Sequence, residues 1–275
     1  MRLGLSTPVV IQQPGIASPW EADAGPADLA AIAAAADAIG FHHLTCSEHV
    51  GIPAQAADTR GSVYWDPLAT LSFLAVHTRR IRLTTSVLVL GYHHPVALAK
   101  SYGTLDRLSG GRVILGVGVG SLREEFDLLG AAWSDRGAEA DTALHQLRAA
   151  WGQPVVDGLA IEPHATTTDL TIWVGGRTLR SLRRAIELGN GWMPFGLSPD
   201  TIAGYLARRP APPGFDVVLS TDRACDPLGD PAGTRRHLER LRDAGATLVN
   251  CVVRAEDPDH YRDQLAALHT IGDPL

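Results

Sequence analysis

The chain has 275 residues, 45% hydrophobic and 20% charged, enough to pack one large domain or two small ones. With 30 acidic against 24 basic side chains its net charge is −6, which excludes a general nucleic-acid or membrane binder and leaves only local basic clusters for an anionic ligand. No apolar run approaches the roughly 18 residues of a membrane span and no secretory signal opens the chain.

The first strand is expected at residues 3–7. A helix follows at 27–39, where Leu29, Ile32, Ala36 and Ile39 recur at helical spacing and Gly40 supplies a stop. The second strand is expected at 42–47. Asp66-Pro67 then reads as the N-cap and first residue of a helix ending near His77. Residues 81–90 are rich in β-branched side chains and predict one long third strand. His94-Pro95 opens a helix closed by Ser109-Gly110-Gly111, and a fourth strand at 113–119 leads into a helical stretch broken near 133–137. Residues 153–169, with Pro154, Gly158 and Pro163, read as an irregular insertion. Short strands at 171–174, 192–195, 215–220 and 247–253 each precede a helix, at 178–188, 199–208, 232–244 and 258–271.

Strand and helix thus alternate eight times. That pattern implies parallel strands, right-handed crossovers and a closed (β/α)₈ TIM barrel occupying residues 1–275 as one domain. A doubly wound open sheet is the architectural alternative. Cys46, Cys225 and Cys251 are odd in number and far apart, which suits a reducing cytoplasm, and Cys46 and Cys251 fall in strands as buried thiols.

In a barrel, chemistry collects where strands end. The second strand ends Cys46-Ser47-Glu48-His49, and an acid beside a histidine can orient or transfer a proton, although a solvated loop has the same composition. The fourth ends Gly116-Val117-Gly118-Val119-Gly120-Ser121. Ser121 stands where a dinucleotide fingerprint needs its third glycine, so that motif fails. Glycines there either let a planar ring approach the backbone or make a tight turn. The fifth ends Gly175-Gly176-Arg177 at a helix start, where free N–H groups beside an arginine suit an anion. The pairs His42-His43 and His93-His94 are expected to point to opposite faces, so no catalytic metal is expected.

Several ordered blocks resemble the luciferase-like monooxygenase superfamily, and within it the F420-dependent oxidoreductases. They are Ser47-Glu48-His49, Tyr64-Trp65-Asp66-Pro67, the run 105–112 (Leu-Asp-Arg-Leu-Ser-Gly-Gly-Arg), the glycines at 116, 118 and 120, Glu124-Glu125, and Gly175-Gly176. The resemblance implies a non-proline cis peptide at Ser86-Val87 behind the cofactor ring and Gly118, Gly120 and Ser121 along the ring edge. It also implies Gly175, Gly176 and Arg177 at the cofactor phosphate, His49 as proton donor or acceptor, and Glu48 as its orienting partner. Ser121 replaces a glutamate of the sugar-phosphate dehydrogenases in that branch, which argues against a sugar phosphate. The chain is shorter than FMN-dependent alkane or sulfonate monooxygenases, which favours coenzyme F420 over FMN. The expected function is hydride transfer to or from a small organic substrate. An FMN-dependent monooxygenase and a cofactor-binding protein with little turnover are the alternatives, and a homodimer is common in the resembled family.

Overall fold

The computed structural model describes residues 1–273; the expected domain end, Pro274 and Leu275, lies outside the described residues. Its strands are β1 (Arg2–Ser6), β2 (His43–Cys46), β3 (Arg82–Thr85), β4 (Leu88–Val89), β5 (Val113–Gly118), β6 (Val155–Val156), β7 (Leu159–Ala160), β8 (Ile172–Gly175), β9 (Gly191–Met193), β10 (Asp216–Ser220) and β11 (Leu248–Cys251). In the order β1, β2, β3, β5, β8, β9, β10, β11, each strand pairs in parallel with the next, and β11 returns to β1 through Leu3↔Val249. The barrel is closed. Its eight staves are the expected eight strands, with ends shifted by at most two residues except in the third, which stops at Thr85.

The helices are α1 (Pro26–Ile39), α2 (Ala57–Arg60), α3 (Pro67–His77), α4 (Pro95–Ser109), α5 (Arg123–Leu129), α6 (Arg136–Ala150), α7 (Leu179–Leu188), α8 (Pro199–Arg208), α9 (Pro231–Asp243) and α10 (Pro258–Gly272). Five of them open on one signal, a capping side chain followed by proline, and in α4 it is His94 Nδ1 that accepts from the Val96 N–H. Asp66, Ser198, Asp230 and Asp257 accept from the N–H of Ala69, Thr201, Gly233 and His260. None of the described helices is long and apolar enough to cross a membrane.

One apolar layer lies between staves and helices, built from residues such as Leu5, Leu44, Leu83, Leu115 and Val249. A second fills the barrel with Ile114, Trp173, Met193, Val218 and Leu248, with Val87 packed on it. The two sets alternate along β5, β8, β9, β10 and β11, as a period of two requires. All three cysteines are buried, and burial pushes the Cys46 thiol up to about 12.

The expected third strand is two pieces. Pairing stops at Ser86-Val87, whose peptide is cis, and resumes at β4, which pairs with β5 alone. The helical break after β5 falls at 130–135, with Gly130 in the left-handed region at φ 66°. The insertion at 153–169 contains an antiparallel hairpin, β6 with β7, turning through Asp157 (φ 51°) and Gly158 (φ 78°). Two positive φ angles make the turn whose strand twist suits a two-residue hairpin, and Asp-Gly is its usual sequence.

A third difference concerns His42-His43. Their rings do not diverge: the two Nδ1 atoms lie 3.1 Å apart, because β2 begins only at His43 and strand alternation does not reach His42. Arg2 Nη1 lies 3.1 Å from His42 Nε2, and a guanidinium can only donate. His42 therefore carries its proton on Nδ1 and donates to His43, whose buried Nε2–H has no partner among the described residues. Both rings are held neutral. Burial, then the Arg2 and Arg82 charges, lowers His42 to about 4, and burial takes His43 well below its usual value. Unfolded imidazoles titrate near about 6.5, so below that pH the unfolded chain binds protons the folded chain refuses. Stability is expected to fall from about pH 6.5 downward, approaching roughly 2 kcal/mol per pH unit with both rings refusing a proton. Urea unfolding at pH 8, 6.5 and 5 measures it, and a double His42→Gln, His43→Gln variant should flatten the slope.

Candidate active site at the strand ends

A cavity of about 770 Å³ opens at the C-terminal ends of the staves. Small-molecule sites commonly fall between about 300 and 1,000 Å³. All ten residues singled out from the sequence line it: Glu48, His49, Ser86, Val87, Gly118, Gly120, Ser121, Gly175, Gly176 and Arg177. They come from the ends of β2, β3, β5 and β8, four adjacent staves.

The acid–histidine pair is arranged differently from the sequence expectation. Glu48 does not orient His49. Its Oε1 lies 2.6 Å from His93 Nε2 and its Oε2 accepts from the Val89 N–H at 2.7 Å. His49 is held instead by Glu125 of α5, with 2.9 Å between Nδ1 and Oε2. Successive residues leaving β2 diverge, so one acid turns toward β4 and the histidine toward α5. Glu125 also accepts from the N–H groups of Val50 (2.6 Å) and Gly51 (3.2 Å) and from the Tyr92 hydroxyl (3.0 Å). Burial works to raise the Glu125 carboxyl, but the His49 hydrogen bond and charge and the other donors outweigh it, and the net shift is downward. It stays ionised. Its neighbour Tyr92 is pushed up by burial and then by the Glu125 charge. An ionised acceptor on Nδ1 fixes the proton there and leaves Nε2 as the free nitrogen.

The glycines at the end of β5 have a packing reason that the sequence reading lacked. A Cβ on Gly118 would lie 2.8 Å from Val87 Cγ2, and one on Gly116 would lie 2.0 Å from the Thr85 carbonyl oxygen. On β8, a Cβ on Gly175 would meet Val87 Cγ1 at 3.0 Å. Gly118 and Gly175 are bare because the Val87 side chain occupies their space, and Gly116 because the Thr85 carbonyl does. The Ser86-Val87 bulge is tied in from both sides: Ser47 Oγ donates to the Ser86 carbonyl at 2.6 Å, and the Ser86 Oγ lies 3.4 Å from Met193 Sδ. Gly120 has φ 79° and backs onto Phe126, which makes it the turn residue.

The β8 end offers the cationic side. Gly176 has φ 132°, and α7 starts behind it, capped by Thr178. Arg177 is exposed, 5.9 Å from the Phe195 ring centroid, and among the described residues neither it nor Arg180 pairs with a carboxylate. Arg184 is different. It is buried against Asp141 and donates to the Gly137 carbonyl at 2.8 Å, so it fixes α6 rather than a ligand. Arg183 pairs with Glu187 on the surface. A substitution at Gly176 is a poor probe, since any Cβ there meets Ser181 at 2.6 Å. Arg177→Glu is the cleaner one. It is expected to weaken a phosphate-bearing cofactor by at least about tenfold, leaving thermal stability unchanged, as read by calorimetry.

Sequence reading placed Glu125 in a family block without a role and missed Tyr92 and Arg136. Arg136 lies over the Trp133 ring at 3.7 Å and donates to the Gly120 carbonyl at 3.3 Å, so it ties the start of α6 to the β5 turn. The first loop is also pinned. Val9 sits at φ 72°, unusual for a β-branched residue, and Glu21 accepts from the N–H groups of Val9 (2.8 Å) and Ser18 (2.7 Å). Burial raises the Glu21 carboxyl.

The family model for luciferase-like monooxygenases matches residues 1–211. The chain belongs to that family. A Mycobacterium tuberculosis protein provisionally named a coenzyme F420-dependent oxidoreductase is 30% identical over 170 residues, 54% of this chain and 48% of that one. Two solved structures share the fold across nearly the whole length. An F420-dependent secondary alcohol dehydrogenase in complex with an F420-acetone adduct has a TM-score of 0.74 at 14% identity, covering 98% of this chain and 97% of its own. The oxygenating constituent of 3,6-diketocamphane monooxygenase from Pseudomonas putida, in complex with FMN, has a TM-score of 0.68 at 16% identity, covering 100% and 98%. The proteins this chain is similar to thus include one named for F420 and one holding FMN.

Proposed function

We propose that the protein is an oxidoreductase using coenzyme F420 for hydride transfer to or from a small organic substrate. The observation that carries this reading is the division of one cavity of about 770 Å³. Four staves carry the His49 centre, the Val87 bulge and the Arg177 end, while the other four leave a wall free for a second molecule. A protein that only stored a cofactor would need no such room. The residues present suit the group: a broad recess walled by Val87, and unpaired arginines at a helix start for its phosphate.

When bound, the deazaflavin supplies a carbon that accepts or releases hydride. The chain's own residues do the rest. His49 is the group that takes or returns the substrate proton through Nε2, and Glu125 holds its tautomer. Val87 sets the depth of the recess, and Arg177 with the α7 N-terminus holds the anionic end. The relative provisionally named F420-dependent favours F420; the FMN-bound neighbour keeps FMN as the second reading. The two differ in their need for dioxygen. Under strict anaerobiosis an F420 enzyme should still change the cofactor's absorbance on mixing with substrate. Turnover that requires both FMN and dioxygen would overturn the proposal.

A further inference from the structure

The four staves that carry none of the predicted site residues are β9, β10, β11 and β1, and their wall of the cavity has a distinct chemistry. No arginine or lysine on it comes from those strands or their loops; the cavity's arginines at 60, 136, 177, 180 and 184 follow β2, β5 and β8. Its one carboxylate, Glu21, has both oxygens engaged by backbone N–H groups. What remains polar is neutral, and apart from the Thr221 hydroxyl, which accepts from the Val252 N–H at 2.9 Å, three buried groups stand unused. Asn250 stands on the inner face of β11, two residues beyond Leu248 of the barrel-filling cluster, and is 5% exposed. Its carboxamide makes no hydrogen bond with the described residues, and its Oδ1 is a buried atom without a partner. The Thr7 hydroxyl at the end of β1 (2% exposed) and the Tyr261 hydroxyl on α10 (1% exposed) share that state, and all three residues line the cavity. Buried polar atoms are satisfied in all but a few cases per 100 residues, so three orphans on one wall call for a ligand.

Resting on the F420 reading of the other half, we infer that this wall is the substrate subsite and that Asn250, with Thr7, recognises the oxygen of a neutral alcohol or ketone. A carboxamide presents a donor and an acceptor side by side, so it can donate to a carbonyl and accept from a hydroxyl, and thus serve both oxidation states of one substrate. A carboxylate or phosphate would enter a wall with no cation to balance it, beside a buried acid, at a large desolvation cost. Specificity for a group able to hydrogen-bond follows from the orphaned atoms themselves, because an analogue without it leaves them unpaired.

The test uses cyclohexanone, cyclohexanol and cyclohexanecarboxylate as probes, with saturation-transfer NMR reading their binding to the protein without cofactor and calorimetry reading F420 affinity separately. Cyclohexanone and cyclohexanol are expected to bind, and the carboxylate is not. Asn250→Leu should weaken both neutral probes about tenfold, the equivalent of one lost hydrogen bond, with F420 affinity unchanged. Thr7→Val gives a second variant of nearly equal shape should the first fail to fold. Carboxylate binding as tight as ketone binding, no binding of any probe, or neutral-probe affinity within twofold of wild type in both folded variants would overturn the inference. A loss of F420 affinity in place of probe affinity would assign Asn250 to the cofactor and overturn it too. Failure of F420 to bind while the neutral probes still discriminate would instead remove the cofactor reading and leave this subsite standing.

Discussion

His49→Ala is expected to cut turnover by about 10²–10⁴, the range that a positioned acid–base group contributes, while F420 affinity stays within about tenfold. The size follows from the site. His49 is fixed by Glu125 through Nδ1, and Glu125 is itself ionised and held by the Val50 and Gly51 N–H groups and the Tyr92 hydroxyl. Those three donors remain when the imidazole is removed, so the carboxylate keeps partners and folding stability should fall by only about 1 kcal/mol. Glu125→Gln should lower turnover less and move its pH profile, since a carboxamide neither enforces the tautomer nor supports an imidazolium. Single-turnover reduction of bound F420 by an alcohol substrate measures both. A His49→Ala rate within threefold of wild type would remove the histidine from the chemistry.

The largest loss of stability is expected at Arg112. The residue is 7% exposed, and its guanidinium donates to five acceptors: the Ser109 carbonyl, the Thr78 hydroxyl and the carbonyls of Ile81, Ala75 and Thr78, at 2.8 to 3.2 Å. It ties the end of α3 and the start of β3 to the turn after α4. Arg112→Met keeps the stem but orphans buried acceptors, and about 3–5 kcal/mol of unfolding free energy should go with them. Urea unfolding reads that loss, and F420 affinity in the folded variant should remain within threefold. A loss under about 1 kcal/mol would show that water replaces the guanidinium freely.

Arg112 also shows what the sequence makes legible. The run 105–112 is the most specific part of the family resemblance, yet its side chains build the frame. Asp106 accepts from the N–H groups of Thr166 and Thr167 and so anchors the insertion, and Arg112 locks two strand entries. The barrel itself was readable, because capping residues before proline and β-branched runs are local signals. That ten residues expected at strand ends line one cavity was readable too, because a closed barrel brings its strand ends together. Pairings across the barrel were not. Glu125 lies 76 residues from His49, and nothing local to Glu48-His49 says that the nearer acid turns away to His93. The hairpin at 155–160 did have a local signal, Asp157-Gly158 between apolar pairs, masked by the prolines on either side. His42 was misplaced for a plainer reason: alternation applies inside a strand, and that strand begins one residue later.

Calorimetric titration of the protein with F420 and, separately, with FMN tests the central claim most directly. On the proposed reading F420 should bind at least about tenfold more tightly than FMN, a difference of about 1.4 kcal/mol, and raise thermal stability on saturation. FMN binding with equal or higher affinity would contradict it.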